Sequence, residues 1–395
     1  MNLLENLISK EPFKDKLILG DYQKETLSAL SLFFKSSGEN KKGKVAIVAN
    51  EECYLSIGKS LRDAVMSSYP SEALVFESLP PNAESFLKEY DAVISVGNSL
   101  WQGRLAILSR SLGFYLIAVQ TSAVFADLFA DRFMLSPVSY ASGKIDKIVV
   151  DTEVIKSLNR NDLADGYAFS SSLALCYADY LMYATMEGES LDINVKEAIT
   201  ASYKTLTCMT KENIAVVLIL SQLYLGKAVY LCPYLLESGI FFAGRVLSNL
   251  TASPLYECVF GLIAPLLLEV KGYLSLKDTV YIIPDINQNV EKLAEILKVD
   301  QTEIYQNFCL NDFDKIKKKR ELLQGIPDIS EELNIVLEKY KRLKSGYLLV
   351  YKGRHKRFSA SQKEVKLALL LGGLNAKGVL KLMYDDGVTT AFSDL

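Results

Sequence analysis

Histidine is almost missing from this chain. One residue of 395, His355, carries an imidazole, and it stands in the basic stretch "KGRHKR". A metal site built on two histidines is therefore excluded whatever the fold. His355 itself, flanked by Arg354, Lys356 and Arg357, reads as a solvated loop residue in preference to a general base. Cysteine motifs are lacking as well. Cys53, Cys176, Cys208, Cys232, Cys258 and Cys309 lie far apart with no Cys-x-x-Cys pair, which excludes a zinc knuckle or a disulfide framework and fits reduced thiols in a cytosolic protein. Charge of one sign is absent too: 44 Lys and Arg stand against 47 Asp and Glu, so nothing points to a nucleic-acid partner.

Long apolar runs are few. The most membrane-like, "IAVVLILSQLYLGKAVYLCPYLL", is broken by Gln222, Lys227 and Pro233, leaving less than the roughly 20 residues that span a bilayer, so a buried core helix is expected and no membrane association. The start, "MNLLENLISKEPFKDK", mixes Glu5, Lys10, Glu11 and Lys14 into its apolar residues and lacks the pattern of a signal peptide, which places the expected location in the cytoplasm.

What is present is an alternation of short apolar strands and helices. "KVAIVAN", "ALVFES", "DAVISVGNS", "FYLIAVQTS" and "IDKIVVDT" read as five strands between about Lys41 and Asp151, with helical stretches such as "YLSIGKSLRDAVMSSY" between the earlier ones. That pattern predicts a Rossmann-like α/β domain with a parallel sheet over residues 1–152. From Glu153 apolar residues recur at helical spacing, which predicts an all-α domain over 153–395, with helices at Asn161–Met186, Val195–Met209, Glu212–Tyr230, Leu235–Leu250 and Leu255–Leu274. Asn161 has the residue type of an N-cap for the first of these. "NVEKLAEILK" and "ISEELNIVLEKYKRLK" add helices, and a small hairpin is expected near 346–360 before a last helix through "KEVKLALLL".

In an open parallel sheet, ligands bind outside the carboxyl ends of the strands, where a glycine turn lets backbone approach a phosphate. The turn after "DAVISV" reads Gly97, Asn98, Ser99, Leu100, Trp101, Gln102, Gly103, with a single glycine at its tight start. An ordinary strand-to-helix turn accounts for that spacing as well. Gln120, Thr121 and Ser122 form a second polar turn whose hydroxyls suit a phosphate.

Several stretches, in order, resemble one family. "VAIVANEECYLSIGKSL", "DAVISVGNSL", "IVVDTEVIKSLNRNDLADGYA", "LESGIFFAGRVLSNL" and "SPLYECVFGLI" resemble segments of the iron-containing alcohol dehydrogenase, glycerol-1-phosphate dehydrogenase and dehydroquinate synthase superfamily. The resemblance covers about Lys44 to Tyr273 and is strongest at Val45–Leu61 and Ile148–Gly166. It implies a dehydroquinate synthase-like fold, an active site in an interdomain cleft and a homodimer. It also implies a zinc or iron ion held by one aspartate and two histidines, acting as a Lewis acid on an alcohol or carbonyl that exchanges hydride with NAD(P).

Carried over position by position, the resemblance puts Phe169 at the aspartate, Phe242 at the first histidine and Tyr256 at the second, with Glu257 where a glycine is usual. Phenylalanine has no lone pair for a metal and a neutral tyrosine is a poor ligand, so a divergent member without metal ligands is expected. On the cofactor side the positions are Asn50, Gly97, Asn98, Ser99, Thr121 and Ser122. Each Cβ added to the Gly-Gly-Gly turn obstructs backbone approach, while Asn98 and Ser99 still offer hydrogen bonds to a nucleotide or other phosphorylated ligand. The substrate aspartate falls at Ala126, or at Asp127 after a one-residue shift.

Three functions follow. The first is a catalytically degenerate relative that keeps the fold, retains binding of a nucleotide or another phosphorylated ligand in the interdomain cleft, and acts by binding or assembly. The second is a metal-independent NAD(P)-dependent oxidoreductase or lyase acting on a polyol or sugar phosphate, in which Tyr167, Tyr256, Glu257, Lys144 and Asp127 supply proton donor and charge. The third is an interaction module without cleft chemistry.

Overall fold

Five of the six strands in the main sheet form where short apolar runs end in polar turns. The structure, a computed structural model, describes residue 8 and residues 11–37, 43–276, 285–307, 313–351, 359–375 and 377–387. The sheet joins β1 (Leu17–Leu19), β2 (Val45–Ala49), β3 (Ser71–Val75), β4 (Ala92–Gly97), β5 (Tyr115–Gln120) and β8 (Lys147–Val150) in the order β1-β8-β5-β4-β2-β3, all parallel. A separate two-stranded sheet pairs β6 (Arg132–Ser136) with β7 (Ser139–Ser142). Every residue of β2 and β4 is buried, as expected for central parallel strands covered on both faces. On one face Val45, Ile47 and Ala49 join Ile94, Val96, Ile117 and Val119 under Leu30, Leu61 and Val65. The chain leaves β2 toward β3 on one side and leaves β4 toward β5 on the other, so the topological switch point lies between the carboxyl ends of β2 and β4.

The chain divides into two compact units. The first comprises 1–135, 140–163 and 213–230; the second comprises 136–139, 164–212 and 231–395. The first is the α/β unit, and it takes in the helix Ile214–Leu231, which the sequence pattern had grouped with the helical part. The second is largely helical. Its centre is the helix Gly239–Thr251, buried from Gly239 through Leu247. Small residues let neighbours approach this helix: a Cβ on Gly244 would stand 2.3 Å from Val259 Cγ2, and one on Gly372 would stand 2.8 Å from the Ala243 backbone.

Several sequence expectations change in detail. The helix expected over Asn161–Met186 is two helices, Arg160–Leu175 and Tyr177–Glu187, because Cys176 leaves helical geometry with ψ near 1°. The first is capped by Asn159 in place of Asn161: its Oδ1 accepts from Asn161 N at 2.8 Å and Asp162 N at 3.1 Å. The helix expected over Leu235–Leu250 is interrupted at Ser238, whose ψ of 154° separates Tyr234–Glu237 from Gly239–Thr251. Residues 346–351, expected to open a hairpin, continue the helix Pro327–Tyr351. The buried Leu343 and Val350, seven residues apart, lie on one helical face there, and that stripe overrides local strand preference. The rest of the expected hairpin and His355 lie outside the described residues.

Two helices, Ile214–Leu231 and Leu255–Ser275, are long and apolar enough to cross a membrane; 56% and 50% of their most apolar windows are buried inside the fold. Gln222, the polar break in the first, is fully buried and its Oε1 accepts from Phe125 N at 2.9 Å and Ala126 N at 2.7 Å. That contact gives a polar residue a structural role in an otherwise apolar helix.

Candidate functional site

At the switch point, the residues expected to meet a cofactor are occupied with the chain's own backbone. Asn50 ends β2 in an extended conformation and its Oδ1 accepts from Cys53 N at 2.8 Å, capping the helical segment that follows. Asn98 does the same after β4, accepting from Trp101 N at 3.1 Å at the start of the helix Ser99–Leu112. Thr121 Oγ1 lies 3.4 Å from Cys53 Sγ, and Ser122 Oγ donates to Val124 O at 3.0 Å. Ser99 is buried and hydrogen-bonds the carboxyl of Asp127, while Ala126 is fully buried. The structure therefore brings Asn50, Gly97, Asn98, Ser99 and Thr121 to adjacent strand ends.

Gly97 is where a phosphate would need open backbone. The Trp101 ring packs on the side of Gly97 that a side chain would take: a Cβ there would stand 3.2 Å from Trp101 Cδ1 and 3.5 Å from Cγ. The residues present do not fit a pyrophosphate cradle, since the one glycine retained accommodates an indole and the turn's side chains cap helices. Burial pushes the Asp127 carboxyl up to about 6, with Ser99 and the backbone N–H groups of Asp127 and Leu128 pulling it back in part. Below the turn, Gln120 Nε2 donates to Gln102 Oε1 and Gln102 Nε2 donates to Val119 O at 2.9 Å, locking strand β5 to the helix.

The helical unit holds the positions that the resemblance assigns to metal ligands. Phe169 is fully buried on Arg160–Leu175, and its ring meets Tyr256 edge-on at 4.8 Å between centroids. Phe241 completes the contact at 6.2 Å from Phe169. Phe242, one residue further round the same helix, lies buried with its ring 5.9 Å from the Arg245 guanidinium. The set offers ring carbon and one phenol oxygen, which does not fit a divalent dehydrogenase metal. Among the described residues no three His, Cys, Asp or Glu side chains group to hold a metal.

The other candidate acid–base residues have structural partners. Tyr167 is fully buried, its hydroxyl donates to Leu343 O at 2.9 Å, and burial pushes it above the ordinary tyrosine range, opposite to what a general acid needs. Lys144 pairs with Asp146 at 2.6 Å. Glu257 is buried and Tyr256 stays in the ring cluster. Sequence reasoning missed the covering role of Trp101, because a turn residue's spacing does not say over which atom its ring folds. It also missed Asp179 and Tyr234, a half-buried carboxyl and a buried phenol joined at 3.0 Å.

No protein-family model and no curated protein matches the chain. Solved structures do. An alcohol dehydrogenase from a halo-thermophilic archaeon of a Red Sea brine pool aligns over 96% of this chain and 97% of its own, with a TM-score of 0.59 and 11% identity. The chain has the fold of the iron-containing alcohol dehydrogenases. Similar matches to this fold are an alcohol dehydrogenase from Oenococcus oeni, with TM-score 0.57, 12% identity and coverage of 94% and 97%, and a 1,3-propanediol oxidoreductase, with TM-score 0.56, 12% identity and coverage of 96% and 97%. At such identities the likeness speaks for the fold alone, and the chemistry rests on the residues described above.

Proposed function

We propose that this chain is a catalytically degenerate relative of the metal-dependent alcohol and polyol dehydrogenases, a cytoplasmic protein, paired as a homodimer, that acts by binding or assembly. The observation that carries the reading is the edge-to-face contact of Phe169 with Tyr256 at 4.8 Å, with Phe241 beside it. Ring pairs of this geometry are packing elements. Hydride transfer of the family's kind needs a Lewis acid on the substrate oxygen, and these side chains offer it no adequate ligand set. A metal-independent enzyme is less well supported, since Tyr167 is held away from proton transfer by burial and by its bond to Leu343 O.

The test is metal analysis and turnover on the same preparation. Protein produced in medium supplemented with zinc and iron is analysed by mass spectrometry of its metals, then assayed with ethanol, glycerol and 1,3-propanediol and both nicotinamide coenzymes. The expected result is metal well below one ion per chain and no coenzyme reduction. Stoichiometric zinc or iron together with turnover overturns the reading.

A further inference from the structure

The α/β unit contains a second departure from a dehydrogenase, independent of the ring cluster and going beyond the function proposed above. We propose that the turn between β4 and the helix Ser99–Leu112 is closed from within. Trp101 fills the space above Gly97 that a dinucleotide's phosphates need, and Asp127, through Ser99, supplies the negative charge that the helix N-terminus would otherwise take from a ligand.

The steric half rests on the position of the indole. Gly97 lacks a Cβ, and the nearest heavy atom to that missing carbon is Trp101 Cδ1 at 3.2 Å, followed by Cγ at 3.5 Å. Asn98 fixes the ring's backbone by accepting from Trp101 N at 3.1 Å. Trp101 Nε1 is sealed from solvent with no hydrogen-bond partner, so the ring's polar edge is turned into the protein. A phosphate approaching Gly97 must first displace this ring.

The electrostatic half rests on Asp127. A helix N-terminus carries partial positive charge and attracts an anion. Asp127 sits in the short helical turn Ala126–Phe129 with its Oδ1 shut away from water and its carboxyl bonded by Ser99, the first residue of the helix. A second anion in that place meets like charge at short range.

The closing residue is firmly anchored. Gln222 holds the backbone immediately before Asp127, accepting from Phe125 N and Ala126 N at 2.9 and 2.7 Å. Two residues after Asp127, Phe129 packs on Phe13 at 4.1 Å and fits against Gly226, where a Cβ would stand 2.4 Å from its ring. Asp127 is thereby fixed from both sides in sequence, so the closure is built into the unit.

The experiment measures binding of NADH, by its own fluorescence, and of ADP-ribose, by calorimetry, to the wild-type chain and to Trp101→Ala, Asp127→Asn and the double variant. Wild type is expected to give no saturable signal up to about 1 mM, and the double variant a saturable one at least about tenfold tighter. Trp101→Phe, which keeps an aromatic ring over Gly97, is expected to stay closed. Saturable NADH binding by the wild-type chain overturns the proposal, as does a double variant that unfolds cooperatively yet gains no binding. Acrylamide quenching of the wild-type emission adds a test independent of any variant's folding, because Trp101 is the only tryptophan. Weak quenching supports closure, and quenching like that of a free indole refutes it.

Discussion

Replacing Asp179 by asparagine should change the pH dependence of stability and leave the fold intact. Asp179 is half-buried on Tyr177–Glu187, and its Oδ2 accepts from the Tyr234 hydroxyl at 3.0 Å. The Tyr183 ring stacks on Tyr234 at 3.6 Å, and Gly378 closes the other side, where a Cβ would stand 2.1 Å from the Tyr234 hydroxyl and 3.7 Å from Asp179 Oδ1. Burial pushes the carboxyl up from 3.8 to about 7, and the Tyr234 bond offsets only part of that. Cys176 and Tyr234 are themselves pushed up by burial and stay neutral in this range. A carboxyl that holds its proton more tightly when folded contributes stability that is complete below about pH 4 and is lost as pH rises toward 7. The slope is at most about 1.4 kcal/mol per pH unit, so the loss is on the order of 2–4 kcal/mol by pH 8. Asp179→Asn keeps the shape and an acceptor oxygen but removes the titration. Urea unfolding at pH 5, 6, 7 and 8 should show the variant gaining on wild type by about 1.5–2.5 kcal/mol between pH 5 and 8, the part of the loss that falls above pH 5, with an unchanged slope. Asp127 and Asp385, both pushed by burial to about 6, tilt wild type as well, so the variant-minus-wild-type difference is the quantity to read. A difference that does not move with pH refutes the reasoning.

Two further substitutions probe the packing that shapes the candidate sites. Gln222→Leu strands the buried N–H groups of Phe125 and Ala126 and should cost about 2–5 kcal/mol in denaturant unfolding; a loss below about 0.5 kcal/mol would show that those groups find other partners. Phe169→Ala removes a fully buried ring from contact with Tyr256 and Phe241 and should cost about 3–5 kcal/mol, whereas a loss under about 1 kcal/mol would mean that the three rings do not pack as a unit.

Much of the α/β unit was legible in the sequence because central parallel strands are apolar on both faces, and runs such as "KVAIVAN" and "DAVISV" announce this without any partner. β1 was not, since Leu17–Leu19 is three residues long beside Lys14, Asp15 and Lys16, and only its register with Ile148–Val150 makes it a strand. The helix breaks at Cys176 and Ser238 were hidden for a different reason: neither is glycine or proline, so residue type does not mark the ψ of 1° at the one or of 154° at the other. At the turns, Asn50 and Asn98 stood out as polar residues in phosphate-like positions. Their capping geometry depends on both adopting ψ near 168° at a strand end, which residue type alone does not settle. Gln222 read as an interruption of an apolar run; its partner Ala126 is 96 residues away in sequence. Trp101 read as one letter of a turn, and the atom it covers is a matter of three-dimensional placement.

The ring cluster also bears on how a fold can outlast its metal. Buried ligands without their ion are polar groups in an apolar place, each costing about 1–3 kcal/mol when left unpaired. An aromatic ring in the same volume contributes about 1.5–3 kcal/mol by burial, and an edge-to-face partner adds about 0.5–1.5 kcal/mol. The gain from the second ring depends on the first, so such replacements favour one another. On the reading proposed above, this is why Phe169 and Tyr256, two of the three inferred ligand positions, are both rings and in contact, with the neighbouring Phe241 packed beside Phe169. The coupling has a direction: an aspartate restored at Phe169 alone would face the Tyr256 and Phe241 rings with no metal and no second ligand. It would be penalised in the fold without approaching the chemistry.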